Sequence, residues 1–147
     1  MEKLKIKVKK LHKDAVIPQY AKIGDAGLDL TATNITVNNK YVAYKTGLAF
    51  EIPEGYVGLL FPRSSNCNKS LILSNSVGVL DSGYRGEVEF RYKYTSVNET
   101  AEEFDVYDIG DKVGQLVIIP YPQVELIESD DISQTERGEK GFGSTGS

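Results

Sequence analysis

Leu4, Ile6 and Val8 alternate with Lys3, Lys5, Lys7 and Lys9 at the start of the chain, a period of two that predicts a half-buried strand. The lysines then line its outer face. They read as a guard against edge-to-edge pairing rather than as a nucleic-acid arm. Beyond a turn around Pro18, strand-like runs recur at 28–32, 35–37, 41–44, 47–52 and 56–61, separated by Asn38-Asn39 and Pro53-Glu54-Gly55. Further runs at 76–80, 86–94, 104–107 and 113–119 lead to Pro120 and Pro122, which stop regular pairing, and a last strand is expected over 123–127. Residues 64–73, SSNCNKSLIL, could be helical for a turn or two, with Ser64 and Ser65 as candidate N-caps. Many short strands at this spacing predict an all-β domain, a jelly roll or barrel, over residues 1–127. From Glu128 polar and charged residues dominate and four glycines fall in the last ten positions, which predicts a flexible C-terminal arm over 128–147.

Composition supports this division. The chain counts 13 Val, 11 Ile, 8 Thr, 9 Tyr and 5 Phe against 7 Ala and 12 Leu, a balance that favours strands. Its 147 residues suffice for one domain with a core that needs no disulfide or structural metal. A net charge of −4 argues against bulk binding to nucleic acid or to an anionic membrane. Cys67 is the single cysteine, and no apolar run has the length of a membrane span or signal peptide, so a reducing, cytoplasmic compartment is expected.

Four segments carry candidate chemistry. Pro62-Arg63-Ser64-Ser65 follows a predicted strand and brings a guanidinium, two hydroxyls and backbone N–H groups to one spot, a phosphate-binding arrangement that is also compatible with an ordinary capped turn. In GVLDSGYRGE, residues 78–87, Asp81 and Tyr84 straddle Gly83 in a predicted hairpin turn, a rigid mount for a carboxylate and a ring. Asp29 lies inside the apolar run AGLDL, where a charge needs a partner: a structural Arg, or else a metal or bound water. The tail RGEKGFGSTG, residues 137–146, offers Arg137, Lys140, Ser144 and Thr145 to phosphate and Phe142 to a flat ring, with glycines that allow close backbone approach. His12 and Cys67 have no partners for zinc or nucleophilic chemistry in the pattern.

Taken together, AGLDL at 26–30, PRSS at 62–65, NSVGVLDSGYRGE at 75–87, GDKVGQLVIIP at 110–120 and RGEKGFGSTG at 137–146 resemble, in order and across nearly the whole chain, the motifs of the homotrimeric dUTP pyrophosphatases. That resemblance implies a jelly-roll subunit, a homotrimer with shared active sites, and hydrolysis of dUTP to dUMP and pyrophosphate with Mg²⁺. It implies Asp81 as general base and Tyr84 packed on the deoxyribose. Asn75 and backbone groups around Val79 would meet the uracil edge. Arg63, Ser64, Ser65 and Gln115 would hold the phosphates, and Asp29 would touch the metal through water. Arg137, Phe142, Gly143, Ser144 and Thr145 would close over the nucleotide. Such chemistry needs one water in line with phosphorus and stabilised charge on the departing pyrophosphate, without a covalent nucleophile.

Departures from the family pattern fall at Gly83, where many members carry an acid, at Gly114, where Ala is common, at Lys140, where Gly is frequent, and across NCNKSLIL. A dCTP deaminase resembles the same fold, but on alignment its acid/base glutamate falls at Arg91. A non-catalytic trimeric binding module is the other alternative, and the presence of Asp81, Tyr84, Gln115 and the full tail argues against it.

Overall fold

The computed structural model describes residues 2–95, 105–144 and 146. Within them, ten strands pair antiparallel throughout. β1 (Lys7–Lys10) pairs with β5 (Leu48–Glu51) as a two-stranded ribbon. One four-stranded sheet runs β2 (Leu28–Thr31), β10 (Lys112–Pro120), β6 (Tyr56–Phe61), β8 (Gly78–Leu80). The other runs β3 (Asn34–Val37), β4 (Val42–Lys45), β9 (Glu89–Tyr94), β7 (Leu71–Leu73). From β4 onward every step along the chain changes sheet, so the sheets are laced together around one core. The architecture is the expected all-β jelly roll.

Period two decides what the core receives. In β9, Phe90 and Tyr92 are buried while Arg91 and Lys93 face solvent. Leu30, Leu48, Val113 and Leu116 meet them from other strands, each such burial contributing on the order of 1.5–3 kcal/mol. Three tyrosines form the polar-tipped part of this core. The ring centres of Tyr44, Tyr92 and Tyr107 lie 5.6–5.9 Å apart, two of the three pairs edge to face. Each hydroxyl finds an acceptor: Tyr44 donates to Tyr107 O (3.1 Å), Tyr92 to Val113 O (2.6 Å) and Tyr107 to Asn66 Oδ1 (3.0 Å). Burial pushes the Tyr44 phenol up to about 12, against the lowering effect of its hydrogen bond with Tyr107, and raises Tyr92 and Tyr107 as well.

Four expectations need correction. The turn after β8 does not close a hairpin, because β8 pairs with β6 while β9 pairs with β4 and β7; the turn carries the chain between sheets. Residues 105–107 form no strand, and Phe104 lies outside the described residues. Local partners replace a ladder there: Tyr107 N donates to the Tyr44 hydroxyl (3.0 Å), and Asp105 exchanges hydrogen bonds with Ser70. No strand forms over 123–127 either: Pro120 and Pro122 withhold ladder donors on both sides of Tyr121, whose N–H donates to Gly55 O (2.9 Å). Val124, Leu126 and Ile127 are exposed. The helical reading of 64–73 shrinks to a 3-10 segment, Ser64–Asn68, whose N-cap position is Arg63 rather than either serine, followed by β7.

Candidate active site

Asp81 follows the last residue of β8, and Tyr84 N donates to Asp81 O (3.1 Å) to close a tight turn. Arg85 clamps that turn: its Nη1 donates to Ser82 O (2.6 Å) and Tyr84 O (3.2 Å), while Nη2 lies 3.7 Å from Glu51 of β5. Just beyond, Val88 N donates to Leu48 O (2.9 Å) and Glu87 accepts from Gly47 N (3.0 Å), stitching the turn to the corner between β4 and β5. The Tyr84 ring lies across Gly86, where a Cβ would come within 2.3 Å of the hydroxyl and 2.5 Å of Cζ, and the hydroxyl donates to Glu87 O (3.2 Å). Gly83 has open space around it and a backbone outside the left-handed region, so the family's acid could stand there without reshaping the turn. Asn75, Val79, Asp81 and Tyr84 share a cleft of about 320 Å³ with Glu87, Glu89 and Arg91.

A second cluster sits where β6 ends. Asp29 on β2 stands opposite Gln115 on β10, which stands opposite Phe61 on β6. Arg63 Nε donates to Asp29 Oδ1 (3.0 Å), and Lys112 Nζ is 3.8 Å from Oδ2. Gln115 Nε2 donates to Pro62 O (3.0 Å), with Gly27 leaving room for its amide. Ser65 Oγ accepts a long bond from Arg63 Nη1 (3.5 Å), and Ser64 is exposed. The partner demanded by the Asp29 charge is therefore Arg63, reinforced by Lys112. Among the described residues no three His, Cys, Asp or Glu side chains gather as a metal cage.

The two clusters are separate within the chain. Leu80 pairs with Gly58 and Gly78 with Leu60, so continuing that register past β8 brings Asp81 level with Val57, six residues along the chain from Arg63. At ~3.3 Å per extended residue the separation is roughly 20 Å.

A family model for dUTPase matches residues 13–146. The chain belongs to the dUTPase family. It is 39% identical, over 97% of its length and 99% of the relative's, to a deoxyuridine 5'-triphosphate nucleotidohydrolase of Hydrogenobaculum sp. (strain Y04AAS1). Among solved structures it resembles the dUTPase of Staphylococcus bacteriophage 80alpha with dUPNHPP (TM-score 0.83, 31% identity, 97% of this chain and 99% of that one). A variant dUTPase from phage phi11 of S. aureus, described with a structural Mg(II) ion, is similar at TM-score 0.72 and 30% identity, covering 87% of this chain and 98% of that one.

In this dUTPase the tail residues lie apart from both clusters' hydrogen bonding. Arg137 Nε donates to Lys140 O (2.9 Å) and Lys140 N returns a bond to Arg137 O (3.2 Å), so Lys140 contributes its backbone to a local turn. Phe142 is fully exposed, with φ 53°, next to Gly143 at φ 80° and exposed Ser144; Thr145 lies outside the described residues. Sequence reasoning missed Lys112 at the Asp29 carboxylate. Counting by twos from Gln115 puts it on the opposite face, but the register shifts between Lys112 and Gly114, and the extra residue brings Lys112 opposite Thr31, on the same face of β2 as Asp29. It missed Glu87, Glu89 and Arg91 in the Asp81 cleft as well, because they sit on the next strand or its approach, in another sheet.

Proposed function

We propose that this dUTPase hydrolyses dUTP to dUMP and pyrophosphate in sites shared between subunits of a homotrimer, with Asp81 as general base. The β6–β8 register carries the reading: it sets Asp81 and Arg63 roughly 20 Å apart at strand rise, which supports reading each cluster as half of a site whose other half a second copy supplies. Asn75 and the backbone near Val79 take the uracil edge, and Tyr84, flat on Gly86, takes the deoxyribose and leaves no space for a 2′-hydroxyl. Arg63, Ser64, Ser65 and Gln115 of the neighbouring copy hold the triphosphate. Arg137, Phe142, Gly143, Ser144 and Thr145 close over it from the arm, residues 128–147, that extends from the domain of residues 1–127.

In the reaction Asp81 accepts a proton from water as the water oxygen bonds to phosphorus. The anhydride P–O bond breaks, and its electron pair leaves on pyrophosphate beside the Arg63 guanidinium. Base catalysis of this kind contributes typically about 10²–10⁴-fold. The donor set fits Mg²⁺ that arrives on the triphosphate, since that ion keeps most of its waters and needs only one or two carboxylates; Asp29 would touch it through water. Bound there, the ion would neutralise phosphate charge. The net charge of −4 suits neither nucleic acid nor an anionic membrane as partner, and the lone, exposed Cys67 suits a reducing cytoplasm. No described helix is long and apolar enough to cross a membrane.

Mixing variants tests the shared site. Asp81→Asn and Arg63→Ala subunits are each expected to be inactive alone. Refolded together one to one, they should leave roughly a quarter of sites with both groups intact, by cyclic symmetry. Mixed trimers, confirmed by mass, that stay inactive would refute the division.

A further inference from the structure

The segment that carries the proposed phosphate contacts is fixed by something other than capping or burial. Arg63 at its N-cap makes no side-chain cap bond, and none of Ser64–Asn68 is buried. Asn66 supplies the order instead. Its N–H donates to Arg63 O (2.9 Å), its O accepts from Lys69 N (2.9 Å), and its Nδ2 donates to Leu71 O at the start of β7 (3.0 Å). The remaining end of the amide, Oδ1, accepts the Tyr107 hydroxyl at 3.0 Å.

Tyr107 is itself immobilised. It is buried, its N–H and O are both bonded to the Tyr44 hydroxyl, and its ring packs against Tyr44 and Tyr92. Lys69 lies 5.1 Å from the ring centre and pairs with Asp105 at 2.9 Å, tying the segment's other end to the same stretch of chain. A rigid rod of aromatic packing thus runs from the core to one atom of Asn66, three residues from Arg63. Tyr107 belongs to none of the five motifs, and Asn66 stands just beyond PRSS, where this chain departs from the family's pattern.

We infer that Tyr107, acting through Asn66, is the positioning residue that aims Arg63, Ser64 and Ser65 at the triphosphate. The inference rests on the reading of those three residues as phosphate contacts. It predicts a loss that depends on the phosphate chain and spares the nucleoside.

The test compares binding of the non-hydrolysable analogue dUpNHpp and of dUMP to the intact protein. Tyr107→Phe keeps the ring and removes the donor, so analogue affinity should fall about three- to tenfold, the equivalent of one neutral hydrogen bond, while dUMP affinity stays at the parent value. KM for dUTP should rise more than kcat falls. Asn66→Ala should show the same pattern, and the double variant should lose no more than either single one. If Tyr107→Phe fails to fold, Asn66→Ala, which removes a side chain that is not buried, decides with the same two ligands. Equal weakening of both ligands, unchanged analogue binding, or additive losses in the double variant would overturn the inference. Arg63→Ala separates it from its foundation: full analogue affinity in that variant would overturn the phosphate reading itself.

Discussion

Gly114→Ala should destabilise this dUTPase. A Cβ built there would lie 2.2 Å from Cε1, 2.5 Å from Cζ and 2.7 Å from Cδ1 of Phe90, so the ring occupies the space a methyl would take. Phe90 is only 1% exposed, so relief means displacing packed neighbours. Overpacking of this kind costs typically about 1–3 kcal/mol, and replacing a strand glycine returns about 0.5–1 kcal/mol. The net expectation is a loss of about 1–2 kcal/mol, or a Tm lowered by roughly 3–6 °C for a chain of this size. Urea and thermal melts should be run at one protein concentration, because subunit association would contribute to apparent stability. Phe90→Leu alone leaves a void and destabilises, yet combined with Gly114→Ala it should recover stability, giving a coupling between about 0.5 and 3 kcal/mol. A Gly114→Ala protein as stable as its parent, or strict additivity in the cycle, would refute the claim that the ring and the missing methyl share one space.

Three other outcomes can be checked at the bench. Asp81→Asn should leave a folded protein that binds dUTP but turns it over at least about a hundredfold more slowly; pyrophosphate release near the parent rate would remove Asp81 as the base. Gly86→Ala drives a methyl into the Tyr84 ring, so it should relax rejection of UTP in the same sense as Tyr84→Ala; a dUTP/UTP ratio of kcat/KM unchanged in both would exclude Tyr84 as the sugar gate. Alkaline unfolding follows from the core tyrosines. With Tyr44 raised from 10.0 to about 12 by burial, the unfolded chain loses protons first, so stability is intact below pH ~10 and falls as pH rises toward ~12, by about 1.4 kcal/mol per pH unit for each such tyrosine. Replacing Tyr44 by Phe should flatten that fall, and a loss of near-ultraviolet circular dichroism with the same pH dependence in parent and variant would contradict it.

Most of the strands were legible because their inward residues alternate. Tyr56–Phe61 matches its predicted bounds and Lys112–Pro120 differs by one residue at each end. The failures share a cause, which is that hydrophobic pattern reports burial and not pairing. Val106 and Tyr107 pack on or in the core, so their pattern looks like a strand, but side-chain partners at Tyr44 and Ser70 take the backbone bonds. Val124 and Leu126 alternate like a strand with no ladder formed within the described chain. The hairpin reading of the Asp81 turn failed because Asp-Ser-Gly signals a reversal without stating which sheet receives the next strand.

Strand direction holds the two clusters apart within one chain. β6 and β8 are neighbours and antiparallel, so the residues that follow their C-terminal ends must leave the sheet at opposite ends. Arg63 follows β6, and Asp81 follows β8. Asp29 and Gln115 stand at the Phe61 end by register and belong with Arg63, whereas Asn75, Val79 and Tyr84 share the Asp81 cleft. No rearrangement of a short turn closes a gap set by the length of β6. The arm, by contrast, has length for either course. β10 ends at Pro120 opposite Tyr56, at the Asp81 end of the sheet, and the residues from there to Arg137 could span roughly 55–60 Å if extended, enough for a subunit's own cleft or a neighbour's. What distinguishes the cases is which subunit's loss disables a site. Truncation after Glu136 removes the arm's contacts, and such subunits refolded one to one with Asp81→Asn subunits should recover roughly a quarter of the sites if the arm crosses between copies. If the arm folds back on its own cleft every site lacks either the base or the arm, and confirmed mixed trimers should stay inactive.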